Sequence, residues 1–414
     1  MATFAISTLG CKVNQAEEEY LRRILLSAGF NEVPFNDAAD VYIVNSCTVT
    51  HLADHKSRKL ARKALRTNKD CVLFLCGCAV NNSKAVDDLE GNIIYLKTQD
   101  KEKILDYIPV KYFKDKSEEK NKILSKRTRS FVKIQTGCNN QCSYCIVPYV
   151  RGYSVSKTKK EILNEIQELI DSGCNEAVLT GVNLNYYGKD LGSEFNLKNI
   201  IELIINTGIK RLRVTSLEPY NFDYDILKLF YKYPQLLKHI HLPLQHASDK
   251  ILKSMNRNYT LGDYQKILND LLNIESLNVT TDVILGFPGE TEDDFNILYD
   301  FIAKNRFSKL HVFKYSKRPN TQAEKYQDQV LEEIKSDRSK KIIELGKIKE
   351  DQSLKKNNGM IHDVLAENKG KKDIYYGYTG NYLRTGILSK NDISGKIVRV
   401  KTEYVNGRLV GRTI

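Results

Sequence analysis

Short runs of apolar residues alternate along this chain with stretches in which apolar residues recur every three or four positions. Runs of the first kind suit buried strands, and stretches of the second kind suit amphipathic helices. Over residues 1–112, strands are expected at 4–9, 41–44, 72–75 and 93–96, with helices at 15–29, stopped by Gly29, and at 52–66. Alternating strand and helix implies a parallel sheet, hence an open α/β domain. From residue 130 the alternation resumes. Strands at 130–135, 177–180, 211–217, 239–244, 279–285 and 309–315 are separated by helices at 160–172, 197–206, 223–233, 249–255, 264–273 and 292–305. Six strand–helix units fit a partial (β/α)6 barrel, with its chemistry at the C-terminal ends of the strands.

A charged amphipathic helix at 331–352 leads into a different texture. Short strands at 363–366, 374–378, 382–388, 396–403 and 408–413, punctuated by Gly370, Gly380, Gly386, Gly395 and Gly407, predict a small OB-like β-barrel. The expected division is therefore 1–112, a linker at 113–129, a core at 130–350 and a last domain at 351–414.

Charge changes this picture. The chain of 414 residues carries 64 Lys and Arg against 51 Asp and Glu, a formal +13, which favours a polyanionic partner such as RNA. Residues 353–414 hold twelve basic and five acidic residues, and 111–129 hold eight and three. Tyr375, Tyr376, Tyr378 and Tyr382 among those cations would suit stacking on RNA, or serve as ordinary strand residues. The helix at 52–66 carries Lys56, Arg58, Lys59, Arg62, Lys63 and Arg66. With no 18-residue apolar run and no basic leader before an apolar stretch, the expectation is a soluble, cytoplasmic protein with neither membrane nor DNA as partner.

Nine cysteines in so long a chain are too sparse for a disulfide scaffold. Cys138, Cys142 and Cys145 stand at C-x3-C-x2-C spacing in a loop after the strand at 130–135. Three thiolates leave one corner of a cubane iron–sulfur cluster open, and an open iron binds and reduces small molecules. The alternative is a zinc site, which would want a fourth ligand. Three N-terminal strands each deliver a cysteine just past their ends: Cys11, Cys47 and Cys78. In an open parallel sheet those ends share one rim, so the three can converge on a second cluster. Alternatively they are unrelated buried thiols, as cysteines often are. Cys71 and Cys174 look structural. Cys76, two residues from Cys78, competes with it for the ligand role; Cys78 is preferred because, like Cys11, it follows a glycine.

Taken together, these residues resemble the methylthiotransferase family of radical S-adenosylmethionine (SAM) enzymes across nearly the whole chain. The likeness rests on Leu9-Gly10-Cys11-Lys12-Val13-Asn14-Gln15, Asn45-Ser46-Cys47-Thr48, Gly77-Cys78, Gly137-Cys138 through Pro148, Arg151-Gly152 and Gly377-Tyr378-Thr379-Gly380. Within the family, His241-Leu242-Pro243-Leu244-Gln245, Met255-Asn256-Arg257, the segment 281–292 and the segment 310–319 resemble the branch acting on N6-threonylcarbamoyladenosine in tRNA. Two positions depart from the family pattern: His246, with Ala247-Ser248-Asp249 after it, and Asn320, where glycine is usual.

The resemblance implies an auxiliary-cluster domain, a radical SAM core and an RNA-binding TRAM-like module. It implies 4Fe-4S clusters at Cys138, Cys142, Cys145 and at Cys11, Cys47, Cys78, with S-adenosylmethionine as cosubstrate. The expected activity is methylthiolation at C2 of the modified adenine at position 37 of the tRNA anticodon loop. One SAM would give the radical and a second the methyl group, with a reductant such as flavodoxin or ferredoxin as electron source. SAM contacts are expected from Tyr144 near the adenine, Gly181 and Asn183 near the amino acid end, and Ser216, Glu218 and Gln245 near ribose or substrate. Each of these could instead be a turn or capping residue of a barrel rim. Competing readings are a sister branch (isopentenyladenosine in tRNA, or a ribosomal protein aspartate) and a non-catalytic iron–sulfur RNA-binding protein.

Overall fold

The computed structural model describes residues 2–82, 89–113, 128–192, 195–371 and 373–414. The N-terminal sheet is five-stranded and parallel, in the spatial order Asn31–Glu32, Thr3–Thr8, Val41–Ser46, Val72–Gly77, Ile93–Leu96. The two central strands are buried along their whole length, because helices cover both faces. Leu21 and Leu25 of the helix Lys12–Ser27 pack with Phe4, Ile43 and Phe74 on one face. Ala61 and Ala64 of the helix His51–Thr67 pack with Ala5, Val44 and Leu73 on the other. The pair Asn31–Glu32 was not expected; two exposed polar residues carry no strand signal.

Six parallel strands build the core: Arg129–Lys133, Glu176–Thr180, Arg211–Val214, His239–His241, Asn278–Leu285 and Lys309–Lys314. They form two three-stranded sheets joined through bridges at Leu212–Leu236 and Ser216–His241, an open barrel with six strands as expected. The fourth strand ends at His241, short of the expected 244, where Pro243 has no amide to donate. The helix expected from 264 starts at Leu261 instead. Thr260 caps it and accepts from the Asp263 amide, while Asp263 reaches back to the Thr260 amide. Of the predicted linker, residues 114–127 lie outside the described residues.

The helix Glu332–Lys356, longer than the expected 331–352, packs along the last core strand and leads into a closed barrel. That barrel runs Ile361–Lys369, Ile374–Thr379, Arg384–Leu388, Arg408–Thr413, Ile397–Val405 in spatial order. It docks on the N-terminal ends of the core strands. Arg211 and Arg213, both paired with the buried Glu176, donate to the carbonyls of Asp363, Tyr378, Thr379 and Gly380. This corrects the stacking expectation for the tyrosines. Tyr375 is buried in the barrel's own core, and Tyr378 stacks on Tyr382 at 4.8 Å beneath Arg129 and Arg213. These rings cement two domains; only Tyr376, beside Arg384, keeps a surface role open.

The N-terminal domain spans the gap of the open barrel. On one side Glu19 accepts from the Phe131 amide of the first core strand, and Glu17 from Arg151. On the other, the buried Asp54 pairs with Arg318 at 2.6 Å, just past the last core strand. Both exposed edges are thereby engaged.

Candidate active site

The turn after each N-terminal strand is tightly specified. Cys47 follows the strand Val41–Ser46, and a Cβ added to Gly10 would come 3.1 Å from the Cys47 sulfur, so the Cys11 and Cys47 loops are in contact. Gly77 has φ +94°, and a Cβ there would meet the Ser46 carbonyl oxygen at 2.3 Å. Only glycine makes this turn, and it sends Cys78 away from the strand. Cys76 stays wholly buried in the apolar core with Phe74 and Leu96, against Asn45. The geometry thus favours Cys78 over Cys76, while Cys71 and Cys174 sit in apolar cores.

Cys138, Cys142 and Cys145 lie in the loop between the strand Gln135–Thr136 and the helix Val147–Arg151. The Cys145 amide donates to the Cys142 carbonyl, closing a turn that presents the sulfurs together. The Asn140 amide donates to the Cys138 sulfur at 3.4 Å. Gly137, at φ +71°, brings the loop against the Tyr153 carbonyl, where a Cβ would come within 1.9 Å. The two loops nearly touch: Cys78 packs against Ile146 and Val150, immediately past Cys145.

Each set of thiols has one buried guanidinium aimed at it. Arg151 Nε–H donates to the Cys78 sulfur at 3.2 Å, and Arg257 Nη1–H to the Cys142 sulfur at 3.3 Å. Each guanidinium also pairs with a carboxylate, Arg151 with Glu17 and Arg257 with Glu218. Burial pushes the Cys47 thiol up to about 12, and Cys78 and Cys11 add to the rise. Burial likewise raises Cys78, Cys138 and Cys145, and within each set the neighbouring sulfurs raise one another. Three thiolates together need more positive charge than one guanidinium supplies, and iron ions at each set would provide it. The donor chemistry fits a pair of three-cysteine clusters.

Of the expected SAM contacts, Tyr144 lies within the loop of the second set, and Asn183 directly and Glu218 through Arg257 reach its sulfurs. Asn183 Nδ2 points at the Cys138 sulfur at 3.9 Å, and its amide is held by Gln135. A Cβ on Gly181 would come 2.9 Å from Gln135 Oε1, so the rim approaches closely there. Glu218 is oriented by Arg257, and its amide donates to Asn185 Oδ1. Ser216 bridges to His241, and Gln245, at φ +60°, bridges to Val283. Tyr144 packs edge-on to Phe287, beside Met255 and Tyr315. The two departures from the family pattern have plain structural accounts. Asn320 takes φ +68°, where asparagine is among the better substitutes for glycine, and buried His246 accepts from the Ser248 amide.

Arg257 and Lys12 fall within the motifs but carried no expected role, and neither did His241, Asp282 and His311, whose ligand atoms lie within 4.8 Å of one another. Burial, then Arg213 and Arg129, pull the Lys12 ammonium down to about 8. Its ammonium lies 5.7 Å from the Tyr382 ring, and no carboxylate among the described residues is within ion-pair distance. The Asp282 carboxylate acts in the opposite direction on this ammonium, from a strand 270 positions further along the chain that no local pattern ties to it.

Residues 132–302 match the radical SAM superfamily, and residues 3–94 match a family described as "Uncharacterized protein family UPF0004". The chain is 36% identical to the threonylcarbamoyladenosine tRNA methylthiotransferase MtaB of Bacillus subtilis, over 97% of this chain and 94% of that one. It is 35% identical to the tRNA-2-methylthio-N(6)-dimethylallyladenosine synthase of Carboxydothermus hydrogenoformans, over 96% of each. In fold it is similar to the radical S-adenosylmethionine methyltransferase TsrM of Kitasatospora setae, with TM-score 0.52 at 12% identity over 76% of this chain and 73% of that one. With relatives above 30% identity along nearly its whole length, this chain belongs to the radical SAM methylthiotransferase family.

Proposed function

We propose that this enzyme methylthiolates C2 of N6-threonylcarbamoyladenosine at position 37 of tRNA, using one SAM for the radical and a second for the methyl group. The observation that carries the proposal is the pairing of two thiol sets, each with its own buried guanidinium, joined where Cys78 meets Ile146 and Arg151. When bound, the cluster at Cys138, Cys142 and Cys145 would supply the electron that cleaves SAM to a 5′-deoxyadenosyl radical, and the cluster at Cys11, Cys47 and Cys78 the sulfur inserted. An aromatic C–H bond has no acidic proton to remove, so a cofactor-borne radical replaces general base catalysis. This chain's residues position and exclude water. Arg257 fixes Glu218 and the Cys142 sulfur in one arrangement, and the N-terminal domain covers the open side of the barrel. Asn183, Gly181, Ser216, Glu218, Gln245 and Tyr144 would hold SAM at the rim.

The tRNA backbone has a path to this site. Lys56, Lys59, Lys63 and Arg66 line a cavity of about 620 Å³ that reaches Ser7 and Leu9, two residues before Cys11. Affinity for the anticodon stem-loop should fall linearly with salt on a log–log plot. Replacing Lys56, Lys59 and Lys63 together by Gln should reduce that slope by about two. An unchanged slope in filter binding would move the RNA elsewhere.

Relatives of both tRNA branches align over nearly the whole chain at similar identity, so the choice of branch rests on the motifs at 241–245, 255–257, 281–292 and 310–319. Mass spectrometry of tRNA nucleosides from a strain lacking the gene decides it. Loss of only the methylthio form of threonylcarbamoyladenosine is expected; loss of the dimethylallyl analogue's methylthio form would assign the sister branch.

A further inference from the structure

The strands His239–His241, Asn278–Leu285 and Lys309–Lys314 carry two imidazoles and a carboxylate to one place inside the barrel. Alternation along the strands decides which side chains face inward. Thr281 turns outward, where its hydroxyl meets Tyr264 of the helix Leu261–Leu272, and Leu310 and Val312 pack on the outer core. Thr280, Asp282 and His311 therefore face the interior, and Asp282 and His311 are direct partners across two strands. With His241 they bring one ligand atom each to within 4.8 Å of one another.

His241 is oriented as a ligating histidine would be. Its amide donates to the Thr215 carbonyl, and its carbonyl accepts from the Leu217 amide. Its Nδ1 lies 3.0 Å from Thr280 Oγ1, and that hydroxyl has a second partner in His239 Nε2 at 3.1 Å. When Thr280 accepts from the His241 Nδ1–H and gives its own proton to His239, the His241 Nε2 lone pair points at Asp282, 3.2 Å away. A hydrogen bond on one ring nitrogen that frees the other is the usual support of a metal-bound imidazole. Two ligands of a tetrahedral ion with bonds near 2.0 Å stand about 3.3 Å apart, so this pair is already spaced for one. His311 completes the set: among the described residues no hydrogen bond holds its ring, which lies 5.6 Å from that of His241. Burial favours its neutral form, the form that ligates, and Asp282 acts on it more strongly than the opposing Lys309 or Lys12.

We propose that His241, Asp282 and His311 form a site for one divalent transition-metal ion of the zinc or iron(II) class, separate from the two cysteine sets. Two imidazoles and one carboxylate select such ions over magnesium and calcium, which take oxygen ligands. Three protein ligands leave a coordination position open for water or a substrate oxygen. Phe313, one pleat closer to the rim than His311, is 42% exposed, so the interior is open on that side. The site goes beyond the tRNA reading above and does not depend on which adenine derivative is modified.

The test uses the full chain with both clusters reconstituted, so that the cysteine sulfurs are occupied, dialysed anaerobically against micromolar free zinc(II). One zinc per chain should be retained. Zinc-edge X-ray absorption should show nitrogen and oxygen neighbours and no sulfur, which would stand at about 2.3 Å. His311→Ala and Asp282→Asn should each weaken zinc binding at least about 100-fold, the upper end of what loss of a supporting partner alone costs. His311→Cys should keep the zinc and add one sulfur neighbour. Unchanged iron content and cluster absorbance show that the variants are folded. Absence of zinc uptake, a sulfur shell in the unaltered chain, or uptake unmoved by both His311→Ala and Asp282→Asn overturns the site while leaving methylthiolation standing.

Discussion

Alanine at Cys138, Cys142 or Cys145 should abolish both 5′-deoxyadenosine formation and methylthiolation, whereas alanine at Cys11, Cys47 or Cys78 should spare the first and abolish the second. The two sets occupy separate folds with separate guanidiniums, so loss of one leaves the other's surroundings intact. In either set the loss of product should be at least about 1000-fold, roughly 4 kcal/mol of activation free energy. Chromatography of SAM cleavage products and mass spectrometry of the RNA read the two steps separately. Cys76→Ala is the control that sharpens the claim. Its thiol lies among Phe74 and Leu96 rather than with Cys78, so it should cost about 1 kcal/mol of stability and leave turnover near normal. Full methylthiolation by Cys11→Ala or Cys47→Ala would remove the second site.

The strand ends that deliver Cys11, Cys47 and Cys78 were legible because a parallel sheet aligns its C-terminal edges whatever the intervening sequence. The choice of Cys78 over Cys76 was legible only as a hint from the preceding glycine. The backbone favours it, through the φ of +94° at Gly77 that turns residue 78 out of the strand. Arg257 was quoted within a motif, but its hydrogen bond reaches a sulfur 115 residues away, and no local pattern encodes that distance. The tyrosines misled for a related reason. An aromatic set among cations looks the same in sequence whether it faces RNA or, as for Tyr378 and Tyr382, buried arginines of a neighbouring domain. His241, Asp282 and His311 belong to three strands, and only the parallel register brings them together.

Arg151→Met should destabilise the protein by about 3 kcal/mol and loosen iron held at the N-terminal cysteines, because this one side chain serves several groups at once. Its guanidinium donates to Glu17 at 2.8 Å, to the Cys78 sulfur at 3.2 Å, and to Asn14, which in turn holds the Leu9 and Ser46 carbonyls beside Cys11 and Cys47. Methionine fills the space of the stem but leaves Glu17 buried against Lys101 and the more distant Lys133. Burial pushes the Glu17 carboxyl up, yet Lys101, Arg151 and Lys133 together hold it well below the ordinary carboxylate range. A carboxyl depressed in this way contributes stability at pH values above its ordinary 4.5 and loses it as pH falls below. In urea titrations the gap between the unaltered protein and Glu17→Gln should therefore be full at pH 7 and close progressively below about pH 4.5. Arg151→Met combined with Glu17→Gln should lose less than the two single changes added together, since the buried carboxylate that loses one of its three cations in the first is absent in the second. Strict additivity would mean that Arg151 and Glu17 are adjacent without being coupled, and the link between the N-terminal domain and the helix after Cys145 would have to lie with Asn81, whose side chain donates to the Val150 carbonyl.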